Sequence, residues 1–257
     1  MTGDAGKGHD LLDALGARGG IVCMVGAGGK KTAMMRLAAL HDGHVGLTAT
    51  TRVPFRLKRD SVDLVSLADD LGPAEAAALL AGSRIAGYAG PRTRHFRLAG
   101  MNPVAIAAIH AAAAFDVTYV KADGARMRLA KAHKTGEPSL VPGATTILLL
   151  ASVHAVGRAI DEATVHHPEL FAALAGAKVG DAITADRLAA VLGHQVRTIG
   201  AAAGMPVIPV INMADDDGLL ATAREIATQV WQDMPGLERL AITSMIQPEP
   251  LKHLMTR

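Results

Sequence analysis

Ile21-Val-Cys-Met-Val-Gly-Ala-Gly-Gly-Lys-Lys-Thr32 passes from an apolar run through glycines into two lysines and a threonine, and Ala33 to Leu40 continues with helical character. That is how a strand, a tight loop and a helix start are written. Glycines let the backbone curl until several N–H groups converge, the lysine ammoniums add positive charge, and the helix N-terminus adds its dipole. An anion is the expected occupant, with Gly26, Ala27, Gly28, Gly29, Lys30, Lys31 and Thr32 as its binding set.

The loop departs from both standard patterns. If Gly29-Lys30 is the Gly-Lys of the P-loop, the first glycine falls on Met24 and the hydroxyl residue on Lys31. Shifting by one aligns Lys31-Thr32 but puts Val25 and Lys30 at the glycine positions. The dinucleotide pattern fails as well, because Lys31 stands where its third glycine belongs. Taken alone, the segment reads either as a short, deviant phosphate loop or as an ordinary glycine-rich strand-to-helix turn.

Working outward, the helix after the loop ends at His41-Asp42-Gly43, and His44 to Thr50 reads as a second strand. Its end, Thr48-Ala-Thr-Thr-Arg52, places hydroxyls and a guanidinium where a parallel sheet receives ligands, although threonine also suits strands for its own sake. Ser66 to Ala81 is alanine-rich and reads as a helix, Arg84 to Tyr88 as a short strand, and Pro103 opens a helix over Val104 to Ala114. Basic residues cluster at Arg56, Lys58 and Arg59 and again at Arg92, Arg94, His95 and Arg97, a pattern open to anion contacts or plain solvation.

A strand starting near Asp116 ends in Asp123-Gly124, a carboxylate at the sheet edge where a nucleotide's magnesium needs an oxygen, or simply a turn dipeptide. Arg126 and Arg128 follow within reach of negative charge. Val207 to Ile211 is a further strand, ending in Asn212-Met-Ala-Asp215 before a helix over Leu219 to Trp231. Asn-x-x-Asp at that place is how G-protein-like domains read a guanine edge, and an N-cap cluster at Asp215 to Asp217 is the competing explanation. With strands at Thr145 to Ala151 and Leu240 to Ser244, about six strands alternate with helices. The expected fold is α/β, a doubly wound, mostly parallel sheet of P-loop NTPase type forming a single domain over 1–257, with a mostly helical insert at about 156–204. His166, His167 and Glu169 in that insert suggest caps or solvent contacts ahead of a metal site, since Pro168 marks a helix start.

Composition narrows the function classes. The 257 residues are half apolar, enough for a substantial core, and the net charge is +2. Aromatics make up only 3%, leaving little to stack on bases, so no nucleic-acid partner is expected. Cys23 is the single cysteine and lies in the first strand, which rules out an internal disulfide and points to a reduced, cytoplasmic setting. Residues 1–20 hold Asp4, Lys7, Asp10, Asp13 and Arg18 with no signal-like apolar core, and no apolar run approaches bilayer length, so no membrane partner is expected.

Val25-Gly-Ala-Gly-Gly-Lys30, Thr48 to Arg52, Ala122-Asp-Gly-Ala-Arg126, Leu129-Ala-Lys-Ala132 with Glu137-Pro138, Val165-His-His-Pro-Glu169 and Asn212-x-x-Asp215 occur together and in order. In this the chain resembles the YqeC family, accessory factors for selenium-dependent molybdenum hydroxylases, from about residue 20 to about residue 245. The resemblance implies a P-loop-like nucleotide-binding fold and a role in maturing a molybdenum enzyme or its cofactor, with the client hydroxylase or its assembly proteins as partners. Four positions depart from the family's usual residues: Lys31 replaces a hydroxyl residue, Lys121 an acid, Gly136 a histidine and His167 an arginine.

The leading expectation is a slow NTPase using Mg2+ with GTP or ATP. Lys30 and Asp123 would be its catalytic pair, Thr32, Thr51 and Asp123 the magnesium ligands, and Asn212 with Asp215 the base readers. Arg52, Gly124 and Arg126 would contact substrate or anion. The alternative is a non-hydrolysing scaffold for a phosphate-bearing ligand such as a molybdopterin nucleotide, with Lys31 and Lys121 balancing its phosphates. A third, an NADP-dependent reductase gripping the 2′-phosphate with Arg52, suffers from the broken glycine pattern.

Overall fold

The computed structural model describes residues 10–54, 62, 64–93 and 97–257. The basic residues Arg56, Lys58, Arg59, Arg94 and His95 lie outside the described residues. A short helix α1 (Leu11–Ala14) precedes β1 (Gly20–Gly26) and α2 (Lys30–Leu40). Next come β2 (Val45–Ala49), β3 (Val53–Pro54), β4 (Leu64–Ser66), α3 (Pro73–Leu80) and β5 (Ile85–Ala89). The short β6 (Arg92–Thr93) and β7 (Arg97–Leu98) lead to α4 (Pro103–Ala112), β8 (Val117–Lys121) and β9 (Ala130–Lys131). The chain closes with β10 (Ala144–Ser152), β11 (Val165–His166), α5 (Pro168–Leu174), α6 (Ala185–Ala203), β12 (Val207–Asn212), α7 (Asp217–Asp233), β13 (Arg239–Thr243) and β14 (Leu251–Thr256).

Nine strands form one sheet in the order β14-β13-β12-β10-β1-β8-β2-β5-β4. Every neighbouring pair is parallel except β13 and β14. The doubly wound α/β fold follows from how the central strand divides its side chains: Ile21, Cys23 and Val25 enter one apolar core, Val22 and Met24 the other. The first core is capped by α5, α6 and α7, the second by α1 and α2. A strand buried on both faces cannot alternate with polar residues, which is why β1 reads as a continuous apolar run.

Three differences from the sequence expectation have local causes. The helix expected over Ser66 to Ala81 is instead β4, a loop, and then α3 beginning at Pro73. Proline disfavours helical geometry in the residue before it but suits the first helical position, and the Glu75 carboxylate accepts the Gly72 N–H at 3.0 Å. The stretch from 156 to 204 holds β11, α5 and the 19-residue α6, and α6 is itself the crossover from β10 to β12. The sheet also gains β4 and the antiparallel edge strand β14, neither of which was expected. Among the described residues no helix is long and apolar enough to cross a membrane.

The order of strands fixes where a ligand belongs. From β1 the sheet grows towards β8 and β2 on one side and towards β10 and β12 on the other, so a crevice opens beyond the carboxyl ends of these strands. The residues leaving those ends are Gly26, Ala122-Asp123, Thr50-Thr51, Ser152 and Asn212. Leu149, fully buried in β10 beside β1, carries part of the core beneath that crevice. Leu149→Ala is expected to cost about 2–5 kcal/mol of unfolding free energy in urea titrations, because the packed sheet cannot close over the lost methyls.

Candidate functional site

The turn between β1 and α2 is held from below on every side. The Gly26 N–H donates to Oδ2 of Asp123 at 2.8 Å, the Ala27 N–H to the Leu150 carbonyl at 2.9 Å, and the Gly28 N–H to the Arg128 carbonyl at 3.1 Å. Three positions admit only glycine: a Cβ on Gly26 (φ 87°) would lie 2.2 Å from the Leu150 carbonyl oxygen, one on Gly28 (φ 77°) 2.5 Å from the Ser152 nitrogen, and one on Gly29 (φ 105°) 2.6 Å from Nδ2 of Asn212. The loop amides up to Gly28 are thus spent on the protein. The free donors lie one step on, in the first turn of α2, where the earliest backbone bond runs from Ala33 N–H to the Gly29 carbonyl at 2.9 Å. This leaves Lys30, Lys31 and Thr32 with N–H groups facing outward at the positive end of the helix, and Gly29 at the N-cap supplies no side-chain cap.

Asp123 is the centre of the site and is 2% exposed. Its Oδ1 lies 2.7 Å from Nζ of Lys30, and its Oδ2 lies 3.2 Å from Nζ of Lys131 and 2.7 Å from Nε2 of His133. Nζ of Lys30 also donates to the Gly26 carbonyl, folding the lysine back under its own loop. Burial alone would raise the Asp123 carboxyl, but the Lys30 and Lys131 ammoniums and the His133 contact outweigh it and hold the group well below the usual carboxylate range. Burial pushes Lys30 the other way, downward, against the pull of Asp123. Lys131 continues the network with contacts to Oε2 of Glu137 at 3.0 Å and to the Gly124 carbonyl at 2.8 Å.

Lys121 occupies the neighbouring strand end. Its Nζ donates to Oγ1 of Thr51 and to the Asp123 carbonyl, each at 2.6 Å. Burial, and then the ammoniums of Lys30, Lys131 and Lys31, push it down to about 8. Lys31 and Lys121 both line a cleft of about 10 Å3 with Thr48, whose buried hydroxyl has no hydrogen-bond partner among the described residues. That space admits no more than about one water.

The structure therefore brings Gly26 to Thr32, Thr51, Asp123, Gly124 and Asn212 to one edge of the sheet, in differing roles. Asn212, 1% exposed, donates its amide to the Gly28 carbonyl at 2.9 Å and accepts from Oγ1 of Thr243 at 2.9 Å, which makes it a strut beneath the loop. Met213, where G-protein-like domains carry lysine, puts its thioether next to Gly29 and accepts from Ser152. The Asp215 carboxylate accepts from the Ser244 hydroxyl at 2.5 Å. Arg52 is exposed beyond β2, Thr32 is exposed on α2, and Arg126 lines a separate pocket. The oxygens expected to hold magnesium are not gathered for it: those of Asp123 face cations, and the Thr51 hydroxyl is tied to Lys121.

Lys131, His133, Glu137 and Gln195 were not among the expected site residues. Gln195 donates to the Lys131 carbonyl at 3.0 Å and meets Nδ1 of His133, fixing both from α6. Its signal was present in the sequence, since it interrupts the apolar stripe of Leu188, Val191, Leu192, Val196 and Ile199.

The sequence model of one family, described as YqeC protein, matches residues 22–169, more than half of the chain and all of the Asp123 network except Gln195. No curated relative matches the chain. Between about pH 8 and about pH 10 the unfolded chain keeps a proton on residue 121 that the folded chain has released, so this lysine makes stability rise with pH across that window. Lys121→Met is expected to flatten the rise, measured as the difference in urea unfolding free energy between about pH 7.5 and about pH 9.5.

Proposed function

The chain belongs to the YqeC family, and from that premise we propose that it is a nucleotide-binding accessory factor whose lysines, in place of a divalent ion, neutralise the ligand's phosphates. The observation that carries this reading is the engagement of both Asp123 oxygens by Lys30, Lys131 and His133. Both oxygens of this carboxylate already face cations, and the hydroxyl on Thr51 is already accepting from Lys121. Phosphate oxygens instead meet the N–H groups of Lys30, Lys31 and Thr32, the exposed ammonium of Lys31 and the half-buried ammonium of Lys121. Bringing an anion to Lys121 also relieves the mutual repulsion of three neighbouring lysines. The ligand class is a nucleotide or a nucleotide-bearing cofactor such as a molybdopterin nucleotide, and the process served is maturation of a molybdenum hydroxylase.

A second reading, slow hydrolysis of GTP or ATP with magnesium, is favoured by the position of Asp123 at the end of the strand beside the loop. It requires Lys30 to leave Asp123 for the phosphates.

The two are separated by melting the protein with GTP, ATP, CTP and NADPH, each with magnesium and with a chelator. The proposal expects stabilisation of equal size in both conditions, about 2.7 kcal/mol at a hundredfold excess over Kd, strongly reduced in Lys31→Glu and in Lys121→Met. Stabilisation only with magnesium, accompanied by phosphate release, would move the assignment to hydrolysis. No shift with any nucleotide would refute both.

A further inference from the structure

A second pocket, of about 260 Å3, opens beside the Asp123 network and is walled by the loop after β8, the segment after β9 and the β11–α5 turn. Its size falls below the roughly 300–1,000 Å3 of drug-sized sites, which suits a small molecule. Arg126, Arg128 and Lys134 supply three cations to its wall, and none of them forms an ion pair among the described residues. His166 and His167 stack there with ring centroids 4.0 Å apart. Nε2 of His167 is buried without a hydrogen-bond partner among the described residues, the Glu137 carboxylate lying 3.7 Å away. Burial pushes both imidazoles down, His166 to about 4 with help from His167 and Lys131, so the positive charge of the pocket comes from the arginines and lysine alone. Two carboxylates, Glu162 and Glu169, share the same wall.

We infer that this pocket is a binding site for a small oxyanion that carries its own proton donor, of which inorganic phosphate, still bearing a P–O–H as its dianion near neutral pH, is the fitting class. Guanidiniums present paired N–H donors matched to phosphate oxygens, and an ammonium adds a point charge. Carboxylates in the same pocket repel a fully deprotonated anion but accept from a P–O–H, so the mixture of three cations and two acids selects for a protonated oxyanion. The unpartnered His167 nitrogen gives one further hydrogen bond. The site uses none of the side chains assigned to the nucleotide, and it stands whether or not that assignment does.

The test is calorimetric titration of the full chain with inorganic phosphate and with sulfate, near neutral pH and at low salt, for wild type, Arg126→Ala/Lys134→Ala and Lys31→Glu. Arg126 and Lys134 are exposed, so their removal leaves the fold in place, and thermal melting checks this. The expected result is phosphate binding weakened at least about tenfold in the double variant and changed less than about twofold at this site in Lys31→Glu, with sulfate binding weaker than phosphate in wild type. Glycerol phosphate, whose second proton is largely gone near neutral pH, is expected to bind more weakly than inorganic phosphate, and equal binding would overturn the requirement for a proton donor. Phosphate affinity unaltered by the double variant, or lost only in Lys31→Glu, would place the anion at the helix and overturn the inference. So would sulfate binding as tightly as phosphate.

Discussion

A single buried carboxylate holds the ligand edge of this molecule together. Asp123 lies just beyond β8, and its oxygens join the first amide of the glycine loop, the lysine that follows the loop, a lysine on β9 and a histidine anchored by α6. Taking such charges out of water is costly, and the cost is met only where geometry supplies nearly every hydrogen bond. Here the pairing is close to complete, so the arrangement contributes less to net stability than to choosing one conformation for the loop. Breaking it from one side would strand at least one buried ammonium, a change worth about 3–5 kcal/mol in comparable pairs. The loop conformation, the position of Lys30 and the outward aim of the α2 amides all depend on that carboxylate.

The distribution of lysines sets the character of the site. Lys30, Lys121 and Lys131 crowd around Asp123 and Glu137, three cations against two carboxylates, with Lys31 exposed at the rim. The consequence is a sheet edge with an excess of positive charge.

Much of this was legible in the residues, and the parts that were not share a cause. The apolar run of β1, the glycine loop and the Asp123-Gly124 turn are local signals, each written within about a dozen residues. The doubly wound sheet followed from their alternation with helices. β14 escaped notice because Leu251-Lys-His-Leu-Met-Thr256 is an edge strand with nearly every side chain partly exposed, so neither strict alternation nor a fully apolar run marks it. β4 is three residues long, too short for a period. In the site, Lys131 and His133 lie 8 and 10 residues beyond Asp123 and look like ordinary polar chain until the fold turns them back. Gln195 meets them from more than sixty residues away, across a contact that exists only once α6 has packed. Asn212 was noticed for its motif, yet the role the fold gives it, bracing the Gly28 carbonyl, depends on β12 lying one strand beyond β10.

One backbone contact reaches further than its length suggests. The Arg128 carbonyl that accepts from Gly28 belongs to a residue whose side chain lines the second pocket, and the next carbonyl, that of Leu129, accepts from Ser152 beside the same glycine. The glycine loop and the arginine loop are therefore joined through adjoining peptide units. Linkage between two sites joined in this way is reciprocal in free energy: whatever factor one occupant applies to its neighbour's affinity, it receives in return. The same two peptide units thus give any coupling between the two pockets its path, whichever its sign.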